Sequence, residues 1–342
     1  GNDQGVRDAA EQGLIVATIC SVPVMLSIWF LASVLKHAGQ DPDVIRLIAE
    51  YSQPLTLSVL PALWFVVLRN YVTALAHAGG IMTITLFALL LNFALNYTLV
   101  FGHFGMPALG VVGAALGTSI VNWLMFIVLA LQVVRSPHFS RFRPSFFPRR
   151  IDLPLCREIF RLGLPITAAQ MLNGAMFTVA AIVVGSLGPE ILAAQMIVYS
   201  VVYFGLSTSV AFGDASRVRV AYGIGIGSVH AARQSASIAT FLGTLFILGA
   251  TLILWLVPEK LVGIFLNIDE ATNTGVLAIA LSLSFYAGFF QLVDGILIIF
   301  ANGLRGLSDT QSPLWISMFG YWVVGLSAGV WLCLNTGLAA PG

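Results

Sequence analysis

Residues Phe289 to Phe300 read FFQLVDGILIIF, an apolar run with one carboxylate, Asp294, in its middle. No other charged side chain lies within several helical turns on either side. A run of this kind suits the hydrocarbon of a bilayer, where the backbone must satisfy its own hydrogen bonds and an open sheet cannot. A carboxylate placed there is costly to keep, which marks it as a candidate for an ion or proton pathway.

The rest of the chain resembles this stretch. Charged residues are 9% of the 342 and hydrophobic ones 58%, where a soluble domain carries roughly 25% and 45–50%. Mean hydropathy is +0.93. So few charges cannot cover the surface of a soluble globule, and the composition reads as an all-α polytopic membrane protein. A helix crosses the hydrocarbon with about 20 apolar residues. On that measure nine spans are expected, over about 12–36, 44–76, 80–101, 109–134, 157–186, 189–222, 229–257, 272–303 and 311–334. The runs are continuous and lack the alternation of barrel strands.

The connections are short except at 140–156, SRFRPSFFPRRIDLPLC, rich in Arg and Pro. It divides the chain into a first lobe, 1–139, with four spans, a linker, and a second lobe, 157–342, with five. Alternating the spans places Arg7, Arg135, Arg141, Arg143, Arg149, Arg150, Arg157, Arg161, Arg217, Arg219, Arg233 and Arg305 on the linker's side, against Lys36, Arg46 and Lys260 on the other. The positive-inside rule then puts residue 1 and the linker in the cytoplasm, as expected for a multi-pass protein of the inner membrane.

The lobes repeat each other. DAAEQG (8–13) matches HAARQS (230–235), GQDPDV (39–44) matches LNIDEA (266–271), and ALAHAG (74–79) matches NGLRGL (302–307). The common order and nearly constant offset point to a parallel repeat. Extended over the whole chain, the offset expects six helices per lobe, with two more before Gly1 and one more after Gly342.

Several function classes find no support. Net charge is +1, with no basic field for nucleic acid. Cys20, Cys156 and Cys333 are far apart and read as small buried hydrophobes. His37, His77, His103, His138 and His230 fall at span ends or loops without metal spacing. Gly223, Gly225 and Gly227 precede no Lys-Ser/Thr, so no phosphate loop is present. No Ser-His-Asp set is evident. An enzyme is not expected, nor any organic cofactor or bound metal.

LNFALNYTLVFGHFGMPALGVVGAALGT (91–118), LGLP (162–165), DASRVRVAYGIG (214–225), QLVDG (291–295) and GLRGLSDT (303–310) resemble the multidrug and toxic-compound extrusion (MATE) transporters, most of all their NorM-type branch. In family terms the chain runs from the third helix to the eleventh. The resemblance implies two six-helix lobes around a central cavity. It also implies export of small organic, often cationic compounds driven by H⁺ or Na⁺, from a protein embedded in lipid and expected to be a monomer.

Asp294 matches the family's ionisable residue in the second lobe. Asn173 stands where NorM-type relatives often carry Glu, so a second proton-carrying group is missing there. Gln170 lies three residues earlier on the same helical face, and the pair can line a cavity or bond a neighbouring helix. Asn92 and Asn96 share a face by their spacing and match the first-lobe motif. They suit an ion site or interhelical bonding, with Thr118 as a further hydroxyl. Trp64, Tyr199, Tyr203, Phe204, Phe285, Tyr286, Phe289 and Phe290 suit either a flat cation or lipid-facing packing. Tyr286 and Phe290, two turns and one turn before Asp294, are the best placed. A flippase for lipid-linked precursors, of related two-lobed architecture, is the alternative. It expects a cationic cavity, and Arg69 is the one basic residue well inside a span.

Overall fold

The computed structural model describes residues 3–37, 41–75, 79–145, 151–268, 270, 273–327, 329 and 331. The chain divides into two compact units, Gly1–Ile159 and Phe160–Gly342. Among the described residues there is no strand. Eight helices among the described residues are long and apolar enough to cross a membrane. His77, Arg149, Arg150 and Cys333 lie outside the described residues.

Unit 1 holds α1 (Asp3–Trp29), α2 (Leu31–His37), α3 (Pro42–Ala74), α4 (Gly79–Phe101) and α5 (Gly110–Arg135). Helix α3 packs on α1 and α5, and α4 packs on α5. Asp41 accepts the Asp43 N–H at 2.8 Å, and Pro42 opens the helix, the usual chemistry of a helix start. Farther along, Pro61 has no N–H to give to the Leu57 carbonyl four residues back. Trp123 Nε1 of α5 donates to that carbonyl at 3.2 Å, so the break inside α3 becomes a link to its neighbour. Phe65, Leu68, Val72, Phe126, Leu129 and Val133 fill the α3–α5 seam.

Helix α1 begins well before the expected start at 12, because its polar first turns have work in the fold. Glu11 Oε1 accepts Arg7 Nε at 2.8 Å and the Ser145 N–H at 2.7 Å. Gln12 Oε1 accepts the Asp152 N–H at 3.1 Å and the Cys156 thiol at 3.3 Å. Tyr71 Oη donates to the Phe142 carbonyl at 2.8 Å, and Arg141 pairs with Asp3 at 3.0 Å. The described part of the Arg- and Pro-rich segment is therefore fastened to unit 1 by side chains. Its last residues already belong to α6 (Leu153–Gly185), where Asp152 Oδ1 accepts the Leu155 N–H at 3.1 Å.

Unit 2 holds most of α6, then α7 (Pro189–Gly225), α8 (Val229–Leu256), α9 (Pro258–Val262), α10 (Thr274–Gly306) and α11 (Gln311–Ser317). A π-helix, Met318–Leu326, continues α11 through much of the ninth expected span. Helices α7, α8 and α10 pack on one another. Their seams use small residues against bulky ones, as helices in lipid do. Gly213 of α7 receives Asn302, Gly295 of α10 receives Ser209 and Ile247, and Gly306 lies against the Arg217 carbonyl.

The repeat is visible in the order of elements. Helices α1, α2 and α3 run long, short, long, and so do α8, α9 and α10. The two last members, α3 and α10, are 33 residues each. In each unit the first long helix of the series packs on the second.

Candidate functional site

Asp294 lies on the buried face of α10, 4% exposed. Three residues earlier on that face, Gln291 donates to Thr251 Oγ1 of α8 at 3.1 Å. One oxygen of Asp294, Oδ1, accepts the hydroxyl of Tyr321 from the π-helix. Asp294 and Tyr321 share a cavity of about 540 Å³ within unit 2. Helix α6 lines it with Met176, Phe177, Ala180, Val183 and Val184. Helix α7 adds Gln195, Val198, Tyr199 and Val202, and α10 adds Tyr286 and Phe290 beside Asp294.

The rings are mutually arranged. Phe177 meets Tyr199 edge-on at 5.1 Å between centroids and Phe290 edge-on at 6.1 Å, geometries that aromatic quadrupoles favour. Gln195 Nε2 donates to Tyr199 Oη at 3.0 Å, while Gln195 Oε1 is buried with no partner. Among the described residues that line the cavity, Asp294 is the one charged type, and no Lys, Arg or His joins it. A carboxylate, an amide oxygen and aromatic faces suit a cation, and no described lining residue offers an anion a fixed positive charge.

The expected site residues sort accordingly. Asp294, Tyr286, Phe290 and Tyr199 are brought together. Asn173 and Gln170 are not among the lining residues; Asn173 sits one turn before Met176 and Phe177 on α6. Phe285 and Phe289 pack on Trp255 of α8, and Trp64 packs near Trp123 and Phe126 in unit 1. Tyr203 and Phe204 are exposed outside the cavity. In unit 1, Asn96 Nδ2 donates to Asn92 Oδ1 at 3.0 Å, and Asn96 Oδ1 is buried with no partner. The Thr118 hydroxyl bonds the Ala114 carbonyl of its own helix at 3.0 Å. Among the described residues no cluster of His, Cys, Asp or Glu is placed to hold a metal.

Sequence reasoning did not single out Gln195, Phe177 or Tyr321. For Gln195 the signal was present, a lone amide in the apolar run ILAAQMIV. For Tyr321, in MFGYWVVG, nothing local separates a cavity residue from an interfacial aromatic.

A bundle of long apolar helices with a buried carboxylate in an aromatic cavity suits a membrane transporter. A sequence model of the MatE family matches residues 1–98 and 165–331. The chain is 31% identical over 339 residues to the probable multidrug resistance protein NorM of Brucella suis, covering 98% of this chain and 72% of that protein. It is 33% identical over 353 residues to the NorM of Rhizobium meliloti, covering 99% and 76%. The solved eukaryotic MATE transporter AtDTX14 superposes with a TM-score of 0.86 at 18% identity, over 98% of this chain and 73% of that one. A MOP superfamily transporter from Pyrococcus furiosus superposes at 0.88 with 16% identity, over 99% and 74%. The chain belongs to the MatE family of membrane transporters. Within that family it is similar to the NorM proteins.

Proposed function

We propose that the chain is a secondary active exporter of small organic cations, driven by H⁺ or Na⁺ antiport, and that the Asp294 cavity is where substrate and coupling ion compete. The observation that carries this reading is the lining itself: one carboxylate among aromatic rings, with no basic group. The NorM relatives are probable multidrug resistance proteins, which supports export of small organic compounds.

Asp294 offers one oxygen beside the one that takes the Tyr321 hydroxyl. An organic cation there neutralises the buried carboxylate and lies against Tyr286, Phe290 and Phe177. A proton or Na⁺ neutralises the same group, so the two ligands exclude each other. Antiport then needs only that they differ in affinity for two conformers of the lobes. Asn173 carries no proton, so Asp294 acts without a second acid at that position of α6. Asn92 and Asn96, with a spare buried amide oxygen, are a further polar site in the first lobe, near Thr118. The protein works as a monomer in the inner membrane, with residue 1 and segment 140–156 on the cytoplasmic side.

The test is ethidium efflux from cells lacking their own drug pumps, for wild type and Asp294→Asn, with and without collapse of the proton gradient. Efflux that needs Asp294 and stops with the gradient supports proton coupling. Dependence on external Na⁺ instead assigns the other ion. Full efflux in Asp294→Asn rules the cavity out as the coupling site. A phosphate-bearing flippase substrate needs basic groups, and none is among the described residues that line this cavity.

A further inference from the structure

Tyr321 and Trp322 are consecutive residues of the π-helix that reach in different directions. The Tyr321 hydroxyl donates to Asp294 of α10. Trp322 Nε1 donates to the Leu172 carbonyl of α6 at 3.0 Å. Helix α6 buries far less of its apolar length against the other described helices than α10 does. It nevertheless supplies one wall of the cavity. Gly320, directly before the pair, has open space around its Cβ position. Gly320, Gly325 and Gly329 leave that side of the cavity without bulk.

We propose that Tyr321 and Trp322 form a two-headed tether through which cation binding at Asp294 releases the α6 wall. The idea rests on the reading that the Asp294 cavity takes a cation. The phenol hydroxyl has one proton to donate, and it places it on the carboxylate that the cation must reach. A cation on the other oxygen neutralises the charge that strengthens the Tyr321 hydrogen bond, so binding loosens Tyr321. The two residues share one short stretch of backbone, so the turn that withdraws Tyr321 also moves Trp322 against Leu172. A π-helical segment closes its hydrogen bonds one residue wider than an α-helix, and such segments recur at functional sites. Among the described residues lining the cavity, the titratable groups other than Asp294 are phenols. Helix α7 presents Tyr199 and the Gln195 amide, α10 presents Tyr286, α6 presents apolar side chains, and α8 presents Thr251 to Gln291 behind it.

The experiment is equilibrium binding of ethidium to the purified full chain in detergent, alongside efflux in cells, for wild type, Tyr321→Phe, Trp322→Phe and Asp294→Asn. Tyr321→Phe is expected to bind ethidium roughly tenfold more tightly, the order of one hydrogen bond to a charged group, while its maximal efflux rate falls. Trp322→Phe is expected to bind ethidium more tightly as well, because the bond to Leu172 no longer has to break, and to lose maximal rate. A merely structural tyrosine weakens binding and rate together, so the opposite signs identify the tether. Unchanged or weaker binding in Tyr321→Phe, with binding lost in Asp294→Asn, overturns the tether and leaves the cavity reading standing. Binding retained in Asp294→Asn overturns both. If Tyr321→Phe does not fold, hydrogen exchange on the wild type decides: saturating ethidium should speed exchange in peptides covering 168–176 and 318–326, and no change overturns the tether.

Discussion

Gly205 of α7 faces Gln291 of α10 so closely that a Cβ at position 205 would stand 2.9 Å from three atoms of the Gln291 amide. Gln291 is 1% exposed and committed to Thr251, so it cannot swing away without leaving a buried amide unpaired. Gly205→Ala should therefore destabilise unit 2 by about 1–3 kcal/mol, the range for overpacking a close-packed seam. Thermal unfolding in detergent reads the loss. Gly205→Ala combined with Gln291→Ala should recover part of it, because the clash and the stranded amide are removed together.

Two glycines of α5 should behave unequally. A Cβ on Gly113 would meet the Leu99 carbonyl oxygen of α4 at 2.5 Å, which is backbone, whereas one on Gly117 would meet the Asn96 side chain at 2.9 Å. Backbone moves only with its helix, while a side chain can change rotamer. Gly113→Ala should lower the melting temperature more than Gly117→Ala. Gly117→Ala should instead disturb the Asn92–Asn96 pair and show itself in transport before stability.

Glu11 and Gln12 hold backbone N–H groups of Ser145 and Asp152. Removing either acceptor strands a donor at a cost of about 1–3 kcal/mol. Cys156 is 7% exposed and bonded to Gln12, so it reports the fastening. In a background with Cys20→Ser and Cys333→Ser, Gln12→Ala and Glu11→Ala should each speed maleimide labelling of Cys156. Unchanged labelling would mean that the segment is held by Tyr71 and Arg141 alone.

Asp309, between α10 and α11, accepts from the hydroxyl and the N–H of Ser312, which holds its carboxyl below the usual carboxylate range. A carboxyl depressed on folding contributes stability that is complete above its unfolded value, about 3.9, and fades as pH falls through the lower folded value. Hydrogen exchange across 311–317 should be faster in Asp309→Ala than in wild type. The difference should be the same at pH 7 and pH 5 and shrink only in more acid solution.

The helices themselves were legible in the sequence because lipid leaves a continuous apolar run no other way to satisfy its backbone. The start of α1 was not. Polar residues look like a loop in a hydropathy reading, yet Arg7, Glu11 and Gln12 are helical, with Glu11 and Gln12 buried by a segment more than 130 residues away. The close approach of α5 to α4 at Gly113 and Gly117 is a property of the packing.

The sequence by itself determined that this chain spans a membrane, that its element order repeats, and that Asp294 is the carboxylate set apart in hydrocarbon. These are properties of composition, order and chemical type along one line. Only the tertiary structure decided which groups meet Asp294. Periodicity fixes the face of a helix but neither its rotation against a neighbour nor its depth. Packing of α7 on α10 and the register of the π-helix brought Gln195, Tyr199 and Tyr321 to the cavity, while Asn173, one turn short on α6, was left outside its lining.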